Sequence, residues 1–252
     1  KLENVDEPFQ SLFTQGMVCH NTYKNQKGEW VLPEDVEVVN EMTKQISTQQ
    51  EVYVGPMESM SKSKKNVIDP ESIIKNYGAD SARWFMLSDS PPERDINWSE
   101  SGIQGSWKFC QKIWTLVHSN KDIFHDNFNE EEYNLDSKKF LAQIHQQLNG
   151  ITNSIERFQM NVAVAKIYEI VNLILKYNVM SNYQRNPFKE ALLILIRVIE
   201  PMMPHLAEEC WALTGNLKTL YEVEWPVAKK EFLVIEDVSI VVQINGKRRA
   251  EL

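Results

Sequence analysis

A chain of 252 residues with 42% hydrophobic and 25% charged side chains suits one large or two modest globular domains. Its formal net charge of -8 excludes a protein that coats nucleic acid by bulk charge, although a local basic patch can still meet RNA. No apolar run is long enough to cross a bilayer; even ALLILIRVIEPMM is broken by Arg197, Glu200 and Pro201.

Residues 1 to about 56 mix a short apolar opening, EPFQSLFTQGMV, with polar, β-leaning sequence in which Tyr23 and Trp30 flank a turn at NQKG. Residues 57 to 66 have no apolar period and read as a loop of Met, Ser and Lys. A helix follows, capped by Asp69, with Pro70 in its first turn and Gly78 at its end. A second helix spans roughly 80 to 89 and stops before Pro91-Pro92, and RDINW reads as a short strand.

From about 99 to 213 the apolar residues recur every three to four positions, which predicts four long helices packed as an antiparallel bundle. The first runs from Ser99 to about Phe124 and carries Ile103, Trp107, Ile113, Trp114 and Val117. The acidic stretch DNFNEEEYNLD leads to a second at about 136 to 158 and a third at about 160 to 182. A fourth begins near Pro187 and reaches about Leu213, with an irregularity at Pro201 and Pro204. Trp107, Trp114, Leu148, Ile167, Leu193 and Trp211 are the expected core. At the far end, SIVVQINGKRRAEL alternates as a hairpin about Asn245-Gly246. The fold class is therefore α+β and mostly helical. Lys1 is not an initiator methionine and the hairpin stops within its second strand, so a longer parent chain is expected.

The three cysteines, Cys19, Cys110 and Cys210, are far apart, which suggests reduced thiols in a cytoplasmic protein. His205, followed by Glu208-Glu209 with no second His or Cys nearby, reads as a helix-entry residue packed on the preceding segment, not as a metal ligand.

The informative string is SMSKSKKNVIDP, residues 59 to 70. It is a small-residue loop with Lys62, Lys64 and Lys65 feeding a capped helix. Ammonium groups on one loop suit a triphosphate whose charge shifts during reaction. A solvated surface loop has the same composition. Lys108, Lys112, Arg157 and Lys166 on predicted helices, and Lys247, Arg248 and Arg249 near the hairpin, are candidate contacts for RNA phosphates. For the helix residues a solvated face is the commoner reading; for the hairpin cluster a charged edge strand reads equally well.

Met60-Ser61-Lys62-Ser63 matches four of the five positions of the KMSKS signature of class I aminoacyl-tRNA synthetases. The likeness continues through Asn66-Val67-Ile68-Asp69-Pro70, Tyr77-Gly78-Ala79-Asp80 and Arg83. LFTQGMV (12–18), Lys64 after Ser63, SPPERDINWSESGIQGSWKF (90–109) and VVQINGKRRA (241–250) resemble the leucyl members. Valyl, isoleucyl or methionyl relatives, which carry Leu-Gly or Arg-Gly after the signature, are the alternative within the class. A stand-alone tRNA-binding module is the alternative outside it.

The resemblance implies ATP-dependent attachment of leucine to its tRNA, with ATP and Mg2+ as cofactors and no membrane or obligate protein partner. It implies ATP contacts from Met60, Ser61, Lys62, Ser63 and Lys64, with Lys62 catalytic through the leaving pyrophosphate. Ser59 stands where the signature has lysine, and Lys64 or Lys65 is a candidate substitute. The resemblance also divides the chain. Residues 1–56 end a catalytic region and hold a leucine-specific-like insertion at about 19–54. Residues 57–98 form the signature loop and stem-contact segment, 99–215 the tRNA-binding bundle, and 216–252 a linker and the start of a C-terminal domain. The family's HIGH motif needs two histidines separated by two residues, and none of the five histidines is so placed; no editing-type threonine-rich motif is recognisable. The piece alone is expected to be inactive, with no metal site.

Overall fold

The computed structural model describes residues 9, 11–125, 133–177, 179, 182–233, 241–244 and 247–251. Strand β1 (Val18–Lys24) turns back through Asn25, whose side-chain oxygen accepts from the Lys27 and Glu29 amides at 3.0 Å. Lys24 then bridges to Trp30, closing the expected turn at NQKG. Strands β2 (Val36–Val39) and β3 (Met42–Gln45) form a small hairpin. Strand β4 (Tyr53–Ser59) returns antiparallel along β1, pairing Ser59 with Cys19. It takes Met57–Ser59 out of the loop expected at 57–66, leaving a short 3-10 turn at Lys62–Lys64. Strand β1 thus lies inside a sheet of order β4-β1-β5, although all of it but Val18 falls within the stretch 19–54.

Helix α1 (Pro70–Tyr77) forms as its local signals require: Asp69 accepts from the Glu71 and Ser72 amides, Pro70 opens the helix, and Gly78 ends it with φ 83°. Helix α2 (Ala79–Ser88) follows, and β5 (Ile96–Asn97) joins β1 in parallel. Ser99 caps α3 (Glu100–Ser119) through the Gly102 amide at 3.1 Å, and Asn134 caps α4 (Leu135–Glu156) through Ser137 at 2.8 Å. Helix α5 (Met160–Lys176) ends earlier than the expected 182. The expected fourth helix is two: α6 (Asn182–Ile199) begins before Pro187, and α7 (Pro204–Ala212) begins at Pro204. Prolines cannot donate to the helix ladder, so Pro201 and Pro204 divide the apolar period into separate helices. Strands β6 (Val241–Ile244) and β7 (Lys247–Glu251) pair antiparallel on either side of Asn245-Gly246, which itself lies outside the described residues. So does most of the acidic joint, 126–132.

Two cores hold these elements. The larger gathers the inner faces of α3 to α7, with Ile113, Leu148, Ile167, Leu195 and Ile199 all inaccessible to solvent. The smaller joins Ile73, Phe85, Ile96, Trp98 and Ile103. Helix α2 serves both, because successive residues on a helix point about 100° apart. Trp84 stacks on Phe109 at 5.1 Å and donates to the Tyr168 hydroxyl at 3.0 Å in the bundle; Phe85 meets Trp98 edge-on at 5.2 Å in the smaller core.

Leu148, Ile167 and Trp211 are buried as expected, and Leu193 is partly buried. Trp107 and Trp114 are not: they remain 38% and 36% exposed. The buried stripe of α3 runs through Ile103, Ser106, Phe109, Ile113 and Leu116, and the two indoles sit to one side of it. Trp107 meets Tyr77 edge-on at 6.4 Å and Trp114 leans on His118 at 5.3 Å.

Candidate functional site

The lysine loop is built from both sides of the smaller core. Met60 and Ile68, at its two ends, pack against that core, and the Met60 amide donates to the Val18 carbonyl at 2.9 Å. Between them the chain turns tightly. Ser61 caps the 3-10 turn by accepting from the Lys64 amide at 3.4 Å, and its hydroxyl lies 3.3 Å from that of Ser63. Lys65 closes the turn with φ 53°, a left-handed backbone that lets the chain reverse. Lys62, Ser63 and Lys65 are exposed; Met60, Ser61 and Lys64 are half-buried.

The three lysines are not equivalent. Lys64 is ion-paired with Glu58 on β4. Its charge is therefore already matched in this conformation, one residue before the position where the signature's first lysine is replaced by Ser59. No charge partner is seen for Lys62 or Lys65 among the described residues.

Asn66 was read from sequence only as part of the downstream likeness, yet it organises the loop. It is fully buried. Its Nδ2 donates to the carbonyls of His20 at 3.2 Å, Glu58 at 3.1 Å and Ser59 at 3.3 Å, and its Oδ1 accepts from the Ser61 amide at 2.9 Å. The signal available in sequence was its chemistry: an amide both donates and accepts, as a closing loop requires. Beside the loop, a cleft of about 370 Å3 is bounded by His20 and Tyr23 of β1, by Val67 and Asp69, and by Ser72 of α1.

The remaining candidates do not converge on one element. Lys108 and Lys112, one turn apart on α3, flank a shallow recess with Gln111, Thr115 and Leu175. Arg157 is exposed at the α4–α5 corner, next to Phe158, which takes a left-handed φ of 57° and stacks on Phe13 at 4.9 Å. Lys166 lies across Gly150 of α4; a Cβ there would sit 2.7 to 2.8 Å from its Cε, Cδ and Nζ. Lys247, Arg248 and Arg249 lie on β7. His205 is not packed on the preceding segment: its side chain is 75% exposed, and its Nδ1 lies 2.8 Å from Asp80 Oδ1. Cys19, Cys110 and Cys210 are free thiols.

Two family models match the chain, one on each side of α3. Residues 44–99 match the family model of class I tRNA synthetases (I, L, M and V), and residues 137–252 match that of the anticodon-binding domain of tRNA ligase. Those models leave four amino acids open, and the relatives decide among them. A leucine–tRNA ligase of Parvibaculum lavamentivorans is 44% identical over 260 residues, covering 99% of this chain and 29% of that protein. One from Ehrlichia chaffeensis is 45% identical over 244 residues, covering 97% and 28%.

The chain belongs to the leucine–tRNA ligase family.

It spans under a third of the length of these curated relatives. The ternary complex of Agrobacterium radiobacter K84 LeuRS with tRNA and LeuAMS superposes with a TM-score of 0.72 at 25% identity, covering 98% of this chain and 27% of that one. The valyl, isoleucyl and methionyl alternatives give way to the leucyl one.

Proposed function

We propose that this chain is the part of a leucine–tRNA ligase that carries the ATP-phosphate loop and the tRNA-binding bundle. The whole enzyme joins leucine to its tRNA in the cytoplasm through leucyl-adenylate, using ATP. The observation that carries the reading is the solvent-facing Lys62 on a loop pinned at both ends to the smaller core. As the leucine carboxylate displaces pyrophosphate, negative charge moves onto the leaving group, and a positioned ammonium stabilises that state more than the ground state. Met60, Ser61, Ser63 and Lys64 are the other proposed ATP contacts, Lys64 only after exchanging its pairing with Glu58 for a phosphate. Mg2+ is proposed to accompany the nucleotide phosphates as their counter-ion.

The proposed division of labour keeps the boundaries read from sequence: the end of the catalytic region with its insertion to residue 56, the signature loop and stem-contact segment to 98, the bundle to 215, then the linker and the start of a C-terminal domain. Lys108, Lys112, Arg157, Lys166, Lys247, Arg248 and Arg249 are proposed contacts for phosphates of leucine tRNA.

In the complete protein, Lys62→Ala is expected to slow leucine-dependent ATP–pyrophosphate exchange by about 10²–10³, the cost of one preorganised charge-stabilising donor, with the KM for leucine little changed. Lys65→Ala is expected to cost much less. Adenylate formation by Lys62→Ala at the wild-type rate defeats the reading, as does robust exchange by the 252-residue chain alone.

A further inference from the structure

We infer that Asn66 is a positioning residue of the adenylation step: its side chain ties the entry, the turn and the exit of the lysine loop into one unit and so fixes where Lys62 is presented. The inference rests on the reading of Lys62 above and adds a residue that does not touch the nucleotide.

Four backbone groups from three segments converge on one amide. His20 belongs to β1, Glu58 and Ser59 to the end of β4, and Ser61 to the turn itself. Two Nδ2 hydrogens serve three carbonyls, so at least one is shared. Asn66 is buried and every polar atom of its side chain is used, so its loss strands buried donors and acceptors on both sides of the loop. Apart from Asn66, the turn is held by weaker ties: the Ser61 hydroxyl on the Lys64 amide at 3.4 Å and the Lys65 amide on the Lys62 carbonyl at 3.3 Å. An exposed turn with such ties opens readily once its buried anchor is gone. The ion pair of Lys64 with Glu58 adds little to the anchoring, because both side chains are partly solvated.

An aspartate at this position keeps the shape and the acceptor but removes the donor. Ionised, it faces three carbonyl oxygens; protonated, it again has a hydrogen to give them. That pair of states makes the role readable as a pH profile.

Two measurements test the inference. In the 252-residue chain, Asn66→Ala is expected to raise tryptic cleavage after Lys62, Lys64 and Lys65 about tenfold relative to cleavage at bundle lysines, with the melting of the helices unchanged. Unaltered cleavage at the loop, or a uniform rise with loss of helix, overturns the inference. In the complete protein, Asn66→Ala is expected to lower kcat for ATP–pyrophosphate exchange at least tenfold with an unchanged KM for leucine. Asn66→Asp is expected to regain activity relative to wild type as the pH falls. A pH-independent ratio of Asn66→Asp to wild type overturns the inference even if Asn66→Ala fails to fold. If Lys62→Ala slows exchange and Asn66→Ala does not, Asn66 has no positioning role and the reading of Lys62 stands. If neither slows it, the reading of the loop itself has failed and the inference falls with it.

Discussion

Asp80 of α2 caps a helix that begins more than a hundred residues later: its Oδ1 lies 2.8 Å from Nδ1 of His205, and its Oδ2 accepts from the Leu206 amide at 2.6 Å. Met203, at the N-cap of α7, offers no side-chain bond of its own, so the first turn takes its acceptor from another element. Three residues along α2, Arg83 donates to the carbonyls of Pro201 at 2.7 Å and Met202 at 3.1 Å. One helix therefore holds both the α6–α7 linker and the first turn of α7. Asp80→Ala is expected to destabilise the chain by about 1–2 kcal/mol, as for the loss of a helix cap, with Asp80→Asn intermediate. Denaturant titration of the bundle's helical signal measures it; equal stability of Asp80→Ala and wild type refutes the capping role.

Lys108 and Lys112 are exposed on one face of α3, whereas Lys166 is laid over Gly150. If the α3 pair meets tRNA phosphates, replacing either by alanine weakens binding of leucine tRNA to the complete protein and reduces the slope of log K against log[salt] by about 1. Lys166→Ala is expected to change the slope less. Fluorescence anisotropy from low to moderate salt reads all three, and an unchanged slope in the double variant Lys108→Ala/Lys112→Ala removes this face from the proposed interface.

Glu190 of α6 lies 3.0 Å from Nε2 of the buried His145 and 2.7 Å from Nζ of Lys229. Burial alone pushes its carboxyl up, but the hydrogen bonds and charges of His145 and Lys229 outweigh burial and hold it below its ordinary 4.5. A carboxyl lowered by folding contributes stability that is fully present above its unfolded value and is lost as the pH falls through the folded one. Glu190→Gln is expected to lower stability at pH 7 by about 1–3 kcal/mol, the cost of breaking a buried hydrogen-bonded network. The gap between wild type and variant is then expected to close below pH 4.5. Melting temperatures of both proteins from pH 7 to 3 test this; a gap that persists at the acid end contradicts the linkage.

Local chemistry was legible and distant chemistry was not. Asp69, Pro70, Gly78 and Ser99 act on backbone within a few residues, so their roles could be read from the string. The lysine loop was legible for the same reason, together with its likeness to a known signature. Asp80 acts on groups brought to it by another element, and nothing in its own neighbourhood announces it. Asn66 bonds groups five to eight residues back as its chemistry allowed, but its tie to His20 on β1 was out of reach of the string. Trp107 and Trp114 misled because an apolar period identifies a helix but fixes the edge of its buried stripe only loosely. The division of α6 from α7 was half visible: Pro201 and Pro204 marked an irregularity, but the carbonyls of Pro201 and Met202 within the break are met by Arg83 from far along the chain.

The pairing of β1 with β5 has a consequence for synthesis. Val18 and Cys19 have their parallel partners at Ile96 and Asn97, and Ser99, which caps the first bundle helix, comes two residues later. As the chain leaves the ribosome, β1 and β4 can zip together early, but the other edge of β1 stays open until Asn97 emerges. Closure of the sheet and nucleation of α3 then fall almost at the same moment of translation. Throughout that interval the free edge of β1 offers unpaired backbone to any neighbouring strand.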